Sequence, residues 1–384
     1  MNNEPFYRDS WAEIHLDRID YNIRQLQKHL SNNKGIYAVV KANGYGHGDI
    51  EIAKKALEAG ATRLAVAILD EALRLRKAGI DAPILVMGWV RPQDIVHAVK
   101  HDITLTFFQQ EWLQDVKRLP FSGRLKLHMK WDTGMGRVGL REHHEILSVL
   151  SELKDDRLEL EGIFTHFATA DESDSSYFKY QQERFKALYQ IFQENWHKDV
   201  IIHTGNSAAS MRYPHDMEHF VRFGIGMYGL YPSLIVKEER PIDLQPAFSL
   251  RSRLIHVKQL QAGQFISYGA TYKTKDSEWI GTIPLGYADG LARKLQGMDV
   301  LIGGKRMPIV GRICMDQCMV KLDQFYPIGT DVTLIGKQCN DEITADEVAR
   351  YLETINYEIP CMISYRVPRV YTDKGKIVKT TNPV

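Results

Sequence analysis

The chain reads as an α/β protein: a (β/α)8 TIM-type barrel followed by a mostly-β C-terminal domain. Three observations predict it. Eight short apolar runs, near 36–41, 64–69, 84–88, 103–107, 125–131, 160–167, 200–204 and 220–225, recur along the first part of the chain. Helical stretches separate most of them, as at Glu51–Ala59, Asp70–Ala78, Pro92–Lys100, Glu111–Leu119 and Tyr177–Trp196. The rhythm then stops near Gly229–Pro241, and from Phe248 onward the pattern is rich in strands. Strand–helix alternation implies a parallel sheet, and eight repeats suggest closure into a barrel. An open doubly wound sheet is the alternative. It is disfavoured because no GxGxxG turn follows the first strand.

A strand at Trp11–Leu16 comes first and leads into an amphipathic helix over Leu16–Leu30, with Ile19, Ile23, Leu26 and Leu30 at helical spacing. In the later part, Ser249–Leu260, Glu278–Pro284, Gln317–Leu322, Asp331–Ile335 and Ser364–Tyr371 read as strands punctuated by Gly-Gly and Gly-Lys turns. One helix is expected at Thr344–Thr354, with Thr344 as its cap. No low-complexity segment or long linker intervenes. Residues 1–244 are expected to form the barrel and 245–384 a β-rich domain packed closely on it.

Composition excludes several classes. The 384 residues are 44% hydrophobic and 25% charged, with net charge +1, enough chain for two domains and no reason to expect nucleic acid or a membrane surface as partner. Met1–Asp9 is polar and carries no apolar signal core. No apolar run approaches the roughly 20 residues of a membrane span. The expected compartment is the cytoplasm. Cys314, Cys318, Cys339 and Cys361 should then be reduced. Cys314 and Cys318 have no neighbouring Cys or His to complete a tetrahedral set, so no metal site is expected.

In a parallel barrel, chemistry gathers at the carboxyl ends of the strands. Lys41 closes the run Ile36–Val40 and opens onto Ala42-Asn43-Gly44-Tyr45-Gly46-His47-Gly48. A buried ammonium costs several kcal/mol unless something uses it. A Schiff base with an aldehyde cofactor is one such use; a lysine that snorkels to solvent is the plain alternative. The fifth run leads into Lys130, Asp132, Gly134 and Arg137, the sixth ends at His166, the seventh at Thr204-Gly205-Asn206-Ser207, and the eighth carries Arg222, Gly224 and Ile225. Five strands thus deliver polar residues to one mouth.

Those residues carry a family resemblance. The segments AVVKANGYGHG from Ala38, HMKWDTGMGRVG at 128–139, THFATADE at 165–172, GNSAA at 205–209, RFGIGMYG at 222–229, SYGATY at 267–272, GYADG at 286–290 and ICMDQCMV at 313–320 resemble alanine racemase, in order and over nearly the whole chain. The resemblance implies a pyridoxal 5'-phosphate barrel with a β domain, working as a head-to-tail homodimer with shared active sites. Lys41 then resembles the lysine that binds the cofactor aldehyde and acts as a base on one face of the α-carbon. Tyr45, Ser207 and the N–H groups of Gly224 and Ile225 resemble the phosphate cradle, and Asn206 a further cofactor-binding residue. Arg222 resembles the residue facing the pyridine nitrogen, which an arginine cannot protonate. His166 resembles a residue packed by the ring.

Lys130 and Arg137 are two cations at one mouth, and like charges in a poorly solvated site are costly. Asp132 could pair with one of them. The resemblance implies another solution, Lys130 carbamylated by carbon dioxide and orienting Arg137 in the substrate site. Racemisation needs a base on each face of one carbon, and Tyr268 resembles the second, donated by the partner subunit. Met315 and Asp316 resemble substrate-pocket residues, Tyr287 and Tyr357 a narrow gate, with Arg293, Arg312 and Ile355 further out. The implied activity is interconversion of L- and D-alanine for peptidoglycan. A broader serine/alanine racemase is the alternative, with a decarboxylase and a non-catalytic cofactor carrier as more distant ones.

Overall fold

The structure is a computed structural model and describes residues 5–30 and 34–382. The chain divides into two compact units that interleave in sequence. One holds Ile19–Gly44 and Asp49–Gln245; the other holds the described parts of Met1–Arg18, Tyr45–Gly48 and Pro246–Val384.

The first unit contains the eight predicted strands, Gly35–Val39, Arg63–Val66, Ile84–Val86, Ile103–Phe107, Leu125–Lys130, Leu158–Phe164, Ile201–His203 and Phe220–Phe223. Consecutive strands pair in parallel from the first to the seventh, and the eighth pairs with the first. Between the seventh and eighth, Arg222 N–H donates to Gly205 O at 2.9 Å. Leu125–Lys130 and Leu158–Phe164 alternate, but most of these strands, covered on both faces, read as apolar runs. Ile103–Phe107, for instance, is buried at every position.

The helices follow where apolar spacing predicts them, at Leu16–His29, Asp49–Glu58, Leu69–Lys77, Gln110–Arg118 and Ser176–Asn195. The expected Pro92–Lys100 helix opens as a 3-10 turn, Pro92–Asp94, before Ile95–Lys100, since proline tolerates only a first turn. Two further helices, His143–Glu152 and Ser207–Arg212, lie between the strands they connect.

The second unit is built on an 11-stranded sheet. Its interior includes Ser10–His15, which pairs antiparallel with Phe248–Arg253 and parallel with Arg369–Asp373. The opening strand therefore belongs to this unit and not to the barrel. The expected strand Ser249–Leu260 is two strands, Phe248–Arg253 and His256–Leu260. Ser364–Tyr371 becomes strand only at Arg369. Before it the chain turns, and the Arg369 guanidinium gathers the carbonyls of Ile363, Ser364 and Val367. Sequence alone leaves out, among others, a hairpin of Asp299–Ile302 and Lys305–Val310 and the strand Lys376–Thr381. Thr344 caps Ala345–Leu352, its hydroxyl accepting from Glu347 N–H at 3.1 Å. Among the described residues no helix is long and apolar enough to cross a membrane.

Candidate active site

Lys41 follows the first barrel strand directly, and the chain there winds the wrong way. Ala42, Asn43, Gly44 and Tyr45 have φ of 52°, 54°, 59° and 51°, a full left-handed turn. Left-handed backbone costs an ordinary residue roughly 1–2 kcal/mol, and such strain gathers at functional sites. The turn is held by hydrogen bonds. Gly44 N–H donates to Val40 O at 2.9 Å. Glu71, in the first turn of Leu69–Lys77, accepts from Ala42 N–H at 2.6 Å and from Ala67 N–H at 2.8 Å. One helical turn on, Arg74 donates to the Asp49 carboxylate at 2.8 Å. A single helix thus grips both ends of the segment that presents Lys41.

Around the same strand ends, the barrel unit gathers cations. Lys130 ends the fifth strand and is 5% exposed. Burial first, then the charges of Arg137, Arg222 and Lys41, push its amine down to about 8. The Asp132 pairing does not form. Its carboxylate accepts from the N–H groups of Gly134 and Gly136 at 3.1 and 3.0 Å and meets Arg141 at 3.3 Å. The bend after Trp131 turns the acid onto its own loop, whereas a continued strand would place residue 132 on the same face as Lys130. Arg137 is exposed.

Arg222 is 3% exposed and nearly saturated. Its two terminal nitrogens donate to the carbonyls of His203, Thr165 and Thr204 and to Nδ1 of His203 and His166. Among the described residues no hydrogen bond uses its Nε–H. Burial, with the nearby arginine and lysine charges, pushes His166 well below its ordinary value; as a neutral ring it accepts from Arg222 at 3.1 Å. Ser207 Oγ accepts from Gly224 N–H at 3.0 Å, tying the loops after the seventh and eighth strands together. Asn206 spends its side chain on structure: Oδ1 caps Ser207–Arg212 through Ala209 N–H at 3.0 Å, and Nδ2 donates to Phe167 O.

The other predicted residues belong to the second unit. Tyr45 is buried, its ring centroid 6.4 Å from that of Tyr357. Burial raises its phenol pKa. Gly46 has no alternative: at φ 82° an added Cβ would lie 2.0 Å from Pro360 O. Tyr268 opens a short 3-10 turn and is 72% exposed; Met315 is 53% exposed. Ser267, before it, donates through Oγ to Arg312 O at 2.5 Å. Asp316 is engaged by Arg366 at 2.8 Å. Tyr287 sits on a turn pinned by Asp289, whose buried carboxylate accepts from Gly286 N–H at 3.0 Å and from Arg8 at 2.8 and 3.0 Å. Sequence reasoning missed Glu71, Asp289 and Arg8. An acid in a helix's first turn reads as an ordinary dipole partner, and the Arg8–Asp289 pair spans too much chain for spacing to reveal it. Among the described residues no group of three or more His, Cys, Asp or Glu is placed to hold a metal ion.

Comparison with known proteins agrees with this arrangement. The family models for the alanine racemase N-terminal and C-terminal domains match residues 14–232 and 247–371. Alanine racemase 1 of Bacillus subtilis is 52% identical over 100% of this chain and 98% of its own. The alanine racemase of Halalkalibacterium halodurans is 53% identical, covering 99% of each. The crystal structure of the Bacillus anthracis alanine racemase with bound L-Ala-P superposes with a TM-score of 0.96 at 49% identity, over 99% of each chain. The chain belongs to the alanine racemase family.

Proposed function

We propose that the chain interconverts L- and D-alanine with pyridoxal 5'-phosphate, using Lys41 and Tyr268 as bases on opposite faces of the α-carbon in a cytoplasmic homodimer that shares its sites. The observation that carries this reading is the Lys41 turn, four successive residues held left-handed beside three other cations. The barrel residues fit the cofactor's chemistry. Lys41 offers an amine for an aldehyde. The Nε–H of Arg222 and the N–H of Ile225 have no hydrogen-bond partner among the described residues, which suits a ring nitrogen and a phosphate. Bound there, pyridoxal phosphate would supply a conjugated ring that accepts electron density from the α-carbon.

The chain's own groups do the rest. Lys41 takes or returns the proton on one face, and Tyr268 on the other. Arg222 only donates, so the acceptor it meets stays unprotonated; that weakens the electron draw and disfavours side reactions. Met315 N–H and Arg137 hold the substrate carboxylate, with Asp316 beside them. Tyr287 and Tyr357 narrow the entrance, with Arg293, Arg312 and Ile355 outside it. The exposure of Tyr268 and Met315 suits groups that serve a second copy's site. Turnover of alanine, serine and lysine enantiomers with added cofactor tests the substrate assignment. Alanine is expected to exceed the others by about tenfold or more in kcat/KM, the order that small side-chain differences yield. Equal turnover of serine would favour the broader racemase.

Lys130 is proposed as the site of carbamylation. The ammonium first gives up one proton, and the free amine then adds carbon dioxide and releases a second, so that a crowded cation becomes an anion able to orient Arg137. Because its folded pKa of about 8 lies below the ordinary 10.5, the unmodified amine weighs on the native state below about pH 8. Stability should rise from there toward 10.5, where the unfolded chain still binds the proton that the native state has lost. Protein equilibrated with 13C-bicarbonate should show a carbamate carbon resonance that disappears in Lys130→Met. Its absence from the unsubstituted protein would leave Lys130 an amine.

A further inference from the structure

A polar chain runs through the barrel interior to Arg222, with each member on a different strand. Arg222 donates to His203 Nδ1 at 2.9 Å. His203 Nε2 lies 2.8 Å from His128 Nδ1. His128 Nε2 lies 3.3 Å from Glu161 Oε2. Both imidazoles are fully buried. Glu161 is anchored in turn by Thr104 at 2.8 Å and Arg63 at 3.1 Å. Phe164 stacks on His203 with centroids 4.7 Å apart at 12°, which fixes the ring plane.

The direction of this chain follows from its ends. Arginine can only donate, so His203 Nδ1 must accept and the His203 proton sits on Nε2. That N–H then needs His128 Nδ1 as acceptor, which leaves the His128 proton on Nε2, facing Glu161. A carboxylate is the one end group here that only accepts. Run backwards, the chain would set a His203 Nδ1–H against an Arg222 N–H in a buried site, two donors face to face. Burial depresses both histidines, keeping them neutral as this arrangement requires. Although burial works against its charge, the Glu161 carboxyl is held down to about 2, by His128 and Thr104 and by the Arg63 charge.

We infer that Glu161, His128 and His203 form a one-way hydrogen-bond relay that positions Arg222 and reserves its Nε–H for the cofactor. The relay resembles the carboxylate–histidine pairs that orient metal ligands, where loss of the outer partner costs 10–100-fold. The functional part rests on the reading that Arg222 meets pyridoxal phosphate; the tautomers do not.

Nitrogen-15 NMR of histidine-labelled holoenzyme tests the relay directly. Both His128 and His203 are expected as neutral Nε2–H tautomers. Glu161→Leu should leave the His128 Nε2–H without its acceptor, read as a shift of that signal, weaken cofactor retention and lower kcat about tenfold or more with little change in KM. Glu161→Gln, which keeps an acceptor oxygen for His128, should restore the His128 Nε2–H signal and most of kcat. An Nδ1–H His203 or an imidazolium at either position in the unsubstituted enzyme would overturn the relay. So would a folded Glu161→Leu in which the His128 Nε2–H signal is unchanged. If Glu161→Leu does not fold, the unsubstituted tautomers still decide. Tautomers as stated but unchanged cofactor retention and kcat in Glu161→Leu would sink the link to the cofactor alone.

Discussion

Lys41→Ala is expected to remove both the visible absorption of the bound cofactor and all measurable racemisation. The side chain has two tasks in the proposed mechanism, attachment and proton transfer, and no other lysine shares its position on the turn. Lys130 is the nearest rival by charge, since it perturbs and is perturbed by the same cluster. Its strand-end placement on a different loop gives it no part in the left-handed segment. Loss of a positioned base alone costs about 10²–10⁴ in rate, and loss of attachment adds to that. The Glu71 and Asp49–Arg74 bonds act on main chain and neighbouring side chains, not on the Lys41 amine, so the variant should fold. An absorption band retained in Lys41→Ala at the wavelength of the unsubstituted enzyme would mean that another amine holds the cofactor.

Tyr268→Phe is expected to carry the second largest effect, and a directional one. It should slow proton removal from L-alanine by about 10²–10⁴ while leaving removal from D-alanine, assigned to Lys41, far less affected. Exchange of the α-proton with deuterated solvent, followed for each enantiomer before turnover completes, reads the two faces separately. Equal loss in both directions with intact cofactor binding would remove Tyr268 from its role. The exposure of Tyr268 adds a second expectation: mixed dimers of Lys41→Ala and Tyr268→Phe should regain one working site from two inactive parents. Confirmed mixing without recovery would mean that each subunit completes its own site.

The barrel is legible because most of its strands announce themselves as apolar runs, and because each helix starts where its stripe begins. The β unit is less so. Asp299–Ile302 and Lys305–Val310 flank the Gly303-Gly304 turn, which marks the hairpin only once its strands are known. The partners of Ser10–His15 lie near residues 250 and 370, and no local pattern reaches that far. At the site, strand-end position alone picks out Lys41, Lys130 and Arg222. It does not pick out Glu161, His128 and His203. In Leu125–Lys130 and Leu158–Phe164 the alternation groups the polar residues on one side, but periodicity cannot say whether that side faces the barrel axis. Asp132 shows the opposite failure: its spacing from Lys130 suggests a partner, and a bend redirects it to Arg141.

The interior place of Ser10–His15 in the second sheet sets an order of assembly. During synthesis this strand must wait, unpaired, until some 240 further residues supply one neighbour and more than 100 beyond those supply the other. Contacts so distant along the chain form slowly. An exposed strand edge in the meantime invites stray pairing, so chaperone supply and growth temperature should govern the yield of active protein. Cutting the gene at codon 245 to make a free-standing β fragment would discard a central stave of its sheet.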